Sequence, residues 1–293
     1  MDGFNVTHVD GLRSPVVLIA FTGWSDTGTV TTDAAAHIVE TFGGECFLNV
    51  DPEEYYVFTD TRPTVRIVDG GRREIEWPRN EVYSVRMPDA PNDLIVVSGV
   101  EPNLRWQTFA TRMADAIAAY SPSLVCTLVA RPAATPHTRP IPITGSSADA
   151  ELAARYGLGR SMYQGPTGLV GVLHDALRDR SAPLISLAAG VPHYLNVAEN
   201  PAATMALLKA FGGVSGFEIP MGDLPELGEQ FMQRVEEASA GDDQIHQYVR
   251  TLEEHYGEDE PSAEPQDFES EDLPSADDVL RDIEDLLRGS NDD

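Results

Sequence analysis

The sequence predicts an α/β fold: a mostly parallel sheet covered by helices on both faces, with an antiparallel hairpin segment inserted. Three observations predict it. Pro15–Phe21 (PVVLIAF), Asp93–Ser98 (DLIVVS), Ser123–Ala130 and Pro183–Ala188 (PLISLA) are nearly continuous apolar runs, as expected of strands buried on both faces. Between them lie segments whose apolar residues recur at helical spacing, which gives the strand–helix alternation of a covered parallel sheet. One interlude, Tyr55 to Met87, breaks that rhythm with short alternating stretches.

The first run passes through a Gly/Ser/Asp/Thr turn into a helix carrying Val30, Ala34, Ile38 and Thr41/Phe42, which Gly43-Gly44 closes. Cys46–Val50 is expected as the next strand. In the interlude, TVRIV, REIEW and EVYSVRM are split by Asp69-Gly70-Gly71 and read as antiparallel hairpins inserted in, or added to, the sheet. Its aromatics Tyr55, Tyr56, Phe58, Trp77 and Tyr83 serve either the monomer's core or contacts between copies. After Asp93–Ser98, Asn103 is expected to cap a helix whose face is Trp106, Phe109, Met113, Ile117 and Tyr120. Beyond Pro183–Ala188, Asn200-Pro201 has the form of cap and first residue of a helix carrying Met205, Leu208 and Phe211.

Residues 1–223 are therefore expected to form the core, and 224–257 a helical extension packing on or beside it. Residues 251–293 hold 17 acidic and two basic residues. Within them, 258–274 reads as an acidic disordered linker with almost nothing to bury. Ser275 to Asp278 resembles a capping box, and Val279, Ile283, Leu286 and Leu287 follow on one helical face before Gly289. This predicts a short amphipathic helix over 275–289, which folds back or docks on a partner, and a tail over 290–293.

Charge excludes several functions. Forty-eight acidic against 20 basic residues give −28, and Lys209 is the only lysine, so there is no basic surface for nucleic acid or anionic lipid. No run reaches the ~18 apolar residues of a membrane span, and the acidic start MDGFNVTHVDG lacks a signal peptide's basic region. A cytoplasmic protein with no nucleic-acid or membrane partner is expected. Cys46 and Cys126 lie in apolar runs with no metal or disulfide spacing, which predicts buried thiols in a reducing compartment.

In open α/β sheets, ligands collect beyond the carboxyl ends of the parallel strands. Four loop clusters should lie there: Gly23, Trp24, Ser25, Asp26 and Gly28; Gly99, Glu101 and Pro102; Arg131 and Pro132 leading to His137 and Arg139; and Gly190, His193 and Tyr194. Gly165 and Gly168 form a fifth glycine-marked turn. Sharp turns and helix starts account for the same residues without any ligand.

Known mechanisms fit poorly. Gly23 to Gly28 is one residue off a nucleophile elbow, and nothing in the spacing selects His137 or His193 as a base for Ser25, or Glu101 as its acid. Gly165, Gly168 and Gly171 miss the dinucleotide fingerprint, because the first interval is wrong and Pro166 removes an N–H. No phosphate-binding lysine motif and no metal-ligand spacing occurs, His246 and His255 included. No catalytic residue, cofactor or metal is assigned.

The ordered motifs nevertheless point to a family. They are Phe21-x-Gly23-Trp24-x-Asp26-x-Gly28, Gly99-x-Glu101-Pro102 with Trp106, Ala130-Arg131-Pro132, Gly165-Pro166-x-Gly168, and Gly190 to Tyr194 followed by Asn200-Pro201. Over about residues 10–220 this series resembles the proteasome assembly chaperone 2 family, and more narrowly its actinobacterial branch with an acidic C-terminal extension. The resemblance implies a phosphorylase/hydrolase-like fold and a homo-oligomer, a trimer, whose relatives bind proteasome α-subunits. It also implies docking through a C-terminal hydrophobic-Tyr-any tripeptide. This sequence ends Gly289 to Asp293 without it, so contact with proteasome-related proteins is expected from the folded body or helix 275–289.

The expected function is thus non-enzymatic binding or assembly as a homo-oligomer. The alternative is a small-molecule-binding protein or hydrolase/phosphorylase-type enzyme at the strand-end crevice. There Trp24 and Tyr194 would stack on the ligand, Asp26 and Glu101 would act as acid and base, and Arg131 would hold an anion. An ATP-grasp ligase, a label attached to some relatives, would need phosphate-holding lysines, and only Lys209 is available.

Overall fold

The computed structural model describes residues 3–161, 163–195, 199–239 and 243–256. The expected linker 258–274, helix 275–289 and tail 290–293 lie outside them. In chain order the elements are β1 (Phe4–Val6), β2 (Val16–Thr22), α1 (Val30–Phe42), β3 (Glu45–Val50), β4 (Thr64–Val68), β5 (Arg72–Glu76), β6 (Asn80–Val85), β7 (Leu94–Val100) and α2 (Trp106–Ala118). They continue with β8 (Leu124–Ala133), β9 (Ile143–Ser146), α3 (Ala150–Tyr156), α4 (Leu169–Arg178), β10 (Leu184–Pro192), α5 (Pro201–Ser215), α6 (Leu224–Ser239) and α7 (Asp243–His255).

Eight strands form one sheet in the order β1-β3-β6-β7-β2-β8-β10-β9. The central β7, β2, β8 and β10 are parallel, while β1, β3, β6 and β9 add antiparallel neighbours at the two sides. Two hydrophobic layers explain the continuous apolar runs. Val16, Leu18 and Ala20 of β2 pack under α1 and α5, whereas Val17, Ile19 and Phe21 pack under α2 and α4. Each valine, leucine, isoleucine or phenylalanine side chain so removed from water contributes about 1.5–3 kcal/mol.

Helix ends follow the local chemistry. Asn200 Oδ1 accepts the Ala203 N–H at 3.1 Å, so Asn200 caps α5 with Pro201 behind it. Gly43, at φ 68°, ends α1 in the left-handed region that favours glycine. Asn103 does not cap α2. Its Oδ1 accepts from the Val57 N–H (2.9 Å) and the Thr61 hydroxyl (3.1 Å), and the helix starts after Arg105. Asn103 is spent instead on tying the segment after β3 to the β7–α2 loop.

Cys126 is buried as expected, but Cys46, the second residue of β3, is exposed, as is Glu45 before it. Tyr55 and Tyr56 belong to the monomer's core. β1, β9, α3 and α4 are elements the sequence does not predict. In α4 the buried face is Leu169, Val170, Leu173 and Leu177, a helical pattern hidden behind the glycine-rich turn before it.

Candidate protein-docking rim at the strand carboxyl ends

β2, β7, β8 and β10 run in one direction, so the loops that follow them share one rim. The β2 and β7 half of that rim is built around Glu101. Its Oε2 accepts the Trp24 N–H at 3.1 Å, and its Oε1 accepts the N–H of Leu169, the first residue of α4, at 2.9 Å. A carboxylate at a helix N-terminus is favoured by the orphan N–H groups and the helix dipole. The surrounding glycines follow from that placement. A Cβ on Gly23, which has φ +137°, would lie 2.6 Å from Glu101 Oε2, and one on Gly168 would lie 3.1 Å from Trp24 Cβ.

Asp26 performs a similar service for α1. It accepts from the Thr31 N–H (2.6 Å) and from the hydroxyls of Thr31 (2.8 Å) and Thr32 (2.6 Å). Ser25 contributes its carbonyl, which takes the Ala130 N–H at 2.8 Å and stitches the loop to β8. Gly28 has φ 64°, the turn that aims α1. Gly99 lies within the sheet, where Asn80 crosses its α-carbon and Tyr56 donates to the next carbonyl, Val100 O, at 2.5 Å. One residue the sequence reading did not single out is Asp33. Burial pushes its carboxyl up to about 6, despite a 2.7 Å hydrogen bond from Thr29, and the charges of Asp26 and Glu199 push the same way.

The β8 and β10 half is closed. The His193 ring lies 3.1 Å (Nδ1) from Ala133 O, which can only accept, so Nδ1 carries the proton and Nε2 accepts from Tyr248 OH at 2.7 Å. Tyr194 OH lies 2.7 Å from the His137 N–H it accepts and 2.9 Å from His137 Nδ1. Burial lowers both histidines below their ordinary value, raises Tyr248 to about 12 and raises Tyr194 further. Tyr194 and Leu195 join Phe231 and Val235 of α6 and Ile245, Tyr248, Val249 and Leu252 of α7 in one apolar cluster. Thr138 donates to Glu253 at 2.5 Å and Tyr256 to Pro140 O at 2.9 Å, pinning the same helices to the loop after β8.

The proposed ligand stack on Tyr194 is therefore corrected: the ring is only 1% exposed and its hydroxyl is engaged within the fold. Arg131 is half-buried on β8, where burial lowers its pKa, and Gly190 is its register partner on β10. Gly165 lies in the loop entering α4, next to Tyr163, whose hydroxyl donates to Pro166 O at 2.7 Å. So the structure brings Gly23, Trp24, Glu101 and Gly168 into one cluster and His137, His193 and Tyr194 into another. Gly99 and Gly190 stand within the sheet. Among the described residues no group of side chains could hold a metal, and no helix is long and apolar enough to cross a membrane.

What the open half offers is apolar surface. Trp24 is 70% exposed, and Leu104, after β7, 45%. The chain leaves β3 at Val50 and returns at Asn80, opposite Gly99 at the β7 carboxyl end, so the β4–β5 hairpin is an excursion from this rim. The hairpin is two-faced. Val65 lies directly opposite Ile75, and Ile67, opposite Arg73, projects to the same side; all three apolar side chains are exposed, as is Trp77 just beyond β5. The other side is charged, with Arg66 to Glu76 at 2.8 Å and Arg72 paired to Glu74. The base is held by Phe58 against Trp77, ring centroids 4.8 Å apart. Six of the nine exposed large hydrophobics among the described residues are on these segments. TVRIV and REIEW carry that alternation in the sequence.

The PAC2 family matches residues 20–239. A PAC2 family protein of known structure from Streptomyces avermitilis is 39% identical, covers 80% of this chain and 99% of its own, and has a TM-score of 0.74. A proteasome-assembly chaperone homologue from Mycobacterium tuberculosis is 38% identical over the same shares, with a TM-score of 0.72. An archaeal proteasome activator from Pyrococcus furiosus shares the fold at 19% identity, covering 82% of this chain and all of its own, with a TM-score of 0.65. No curated protein matches the chain.

Proposed function

The chain belongs to the PAC2 family, and from that premise we propose that it is a non-enzymatic binding and assembly protein. It works as a cytoplasmic homo-oligomer through the apolar rim at the strand carboxyl ends. The observation that carries this reading is the concentration of exposed Trp24, Leu104, Val65, Ile67, Ile75 and Trp77 on the loops and hairpin of that one rim. Large exposed apolar surface costs solubility unless a partner covers it. Glu101 and Asp26, the residues an enzyme would need as acid and base, are instead occupied in holding helix N-termini.

Two occupants divide the rim. The hairpin face, apolar on one side and charged on the other, packs against a second copy of the chain. Trp24 and Leu104 are left for a proteasome-related subunit, a reading supported by the likeness to the proteasome-assembly chaperone homologue from Mycobacterium tuberculosis. The test is capture of proteasome α-subunits from Mycobacterium tuberculosis on the immobilised full chain. Capture is expected for the natural chain and loss of it for Trp24→Asp/Leu104→Asp, with the melting temperature unchanged because both side chains project into solvent. No capture by the natural chain, or equal capture by the double variant, would overturn the proteasome assignment.

A further inference from the structure

At the opposite rim, near the amino ends of β8 and β10, a row of hydroxyls crosses the sheet. Thr127 of β8 is the register partner of Ser186 of β10, and Ser186 is the register partner of Ser146 of β9. Register partners project to the same face of a sheet, here the face covered by α2 and α4, where Val125 and Val129 flank Thr127. Hydroxyls in place of aliphatic groups in such a layer are costly unless something engages them. Thr127 is engaged: its hydroxyl lies 2.7 Å from His174 Nε2 on α4. The hydroxyls of Ser146 and Ser186 have no hydrogen-bond partner among the described residues.

Those two serines and His174 open onto a cleft of about 640 Å³, within the range of about 300–1,000 Å³ that holds small ligands. Arg160 and Arg178 line it as well. Arg160 has no ion pair among the described residues, and Arg178 pairs with Asp175, which belongs to its own helix. Asp149 lies at the cleft too, but its Oδ1 is spent on the Glu151 and Leu152 N–H groups, at 2.8 and 3.2 Å. In a chain of net charge −28 with 20 basic residues, two arginines beside a row of hydroxyls are a local exception. His174 is held neutral, since burial and the nearby Arg178 lower its pKa to about 4, so it serves as a hydrogen-bonding group and not a charge.

We propose that this cleft binds a small hydroxyl-bearing phosphomonoester, with the phosphate on Arg160 and Arg178 and the hydroxyls over Ser146, Ser186 and His174. Guanidinium forks match phosphate oxygens in pairs, and serine hydroxyls can donate or accept toward a polyol. This site is independent of the docking rim, being at the other end of the sheet.

Calorimetric titration of the full chain with ribose 5-phosphate tests it, with ribose and inorganic phosphate as comparators. Saturable binding of the phosphomonoester is expected, at least about tenfold tighter than either comparator. Arg160→Ala, at an exposed site, should weaken it about tenfold. Ser186→Val should weaken it while preserving the strand. Arg234→Ala on α6 removes the same charge elsewhere and should change nothing. Absence of saturable binding up to about 10 mM, binding by Arg160→Ala equal to the natural chain's, or ribose or phosphate bound as tightly as the ester would overturn the proposal.

Discussion

Replacing Ile67 and Ile75 with glutamate is expected to lower the mass in solution from a multiple of 31.8 kDa to that of one chain. Both residues project from the apolar face of a two-stranded ribbon, at 72% and 58% exposure, and none of the described residues covers them. An isolated two-stranded ribbon is only marginally stable in water, so a long-lived hairpin with this pattern needs a partner on its bare face. Burying each isoleucine against a second copy contributes about 1.5–3 kcal/mol, and a buried unpaired carboxylate reverses the sign. Two such replacements per hairpin exceed what a modest interface can lose. Because the monomer leaves both positions in water, the melting temperature of the separated chain should move by less than about 0.5 kcal/mol equivalent. Light scattering at micromolar concentration reads the result, and an unchanged mass for the double variant would place the contact elsewhere.

Asp93→Asn is expected to have the largest effect on stability. Asp93 immediately precedes β7 and is buried, yet its carboxylate gathers five donors: the Arg13 N–H (2.9 Å), Arg13 Nη2 (2.7 Å) and Nε (3.3 Å), Arg86 Nη1 (3.4 Å) and the Met87 N–H (3.0 Å). Its own backbone adds two strand-end bonds, the N–H to Arg13 O (3.1 Å) and the carbonyl from Val16 N–H (2.9 Å). One side chain thus locks the chain before β2 to the turn between β6 and β7. Burial alone would raise the carboxyl, but the hydrogen bonds and charge of Arg13 and the Met87 N–H outweigh it and hold it well below the usual range. The amide offers one acceptor and points its NH₂ at donors, so we expect a loss of about 3 kcal/mol and a melting temperature lower by about 10 °C.

The pH dependence has a definite sign. A carboxyl whose folded pKa is depressed stabilises the fold fully above its unfolded value of about 4, and that contribution is lost as pH falls through the folded value. Urea midpoints of the natural chain and Asp93→Asn should therefore differ most above about pH 5 and converge as the pH is lowered toward 2. A gap that stayed constant over that range would show that the carboxylate's charge is not the stabilising feature.

The parallel strands were legible because a strand covered on both faces must be apolar at successive positions, as Val16 to Phe21 are. The helix at Asn200-Pro201 was legible because cap and first-turn chemistry are local. Asn103 misled for the same reason: a good cap residue by type, it was claimed by Val57 and Thr61, more than 40 residues away. The candidate site was half legible. Its glycines were found, but no local signal says that Glu101 would fill the space those glycines leave, or that α6 and α7 would seal His193 and Tyr194. The row Thr127–Ser186–Ser146 was invisible in the sequence, since it exists only once register is known.

Amide hydrogen exchange across residues 64–76, followed as a function of chain concentration, tests most directly whether the rim is a docking surface. Protection of the β4 and β5 amides that grows with concentration in the natural chain, and is absent in Ile67→Glu/Ile75→Glu at every concentration, is the predicted result. Exchange of those amides at one fast rate in both proteins, however concentrated, would contradict it.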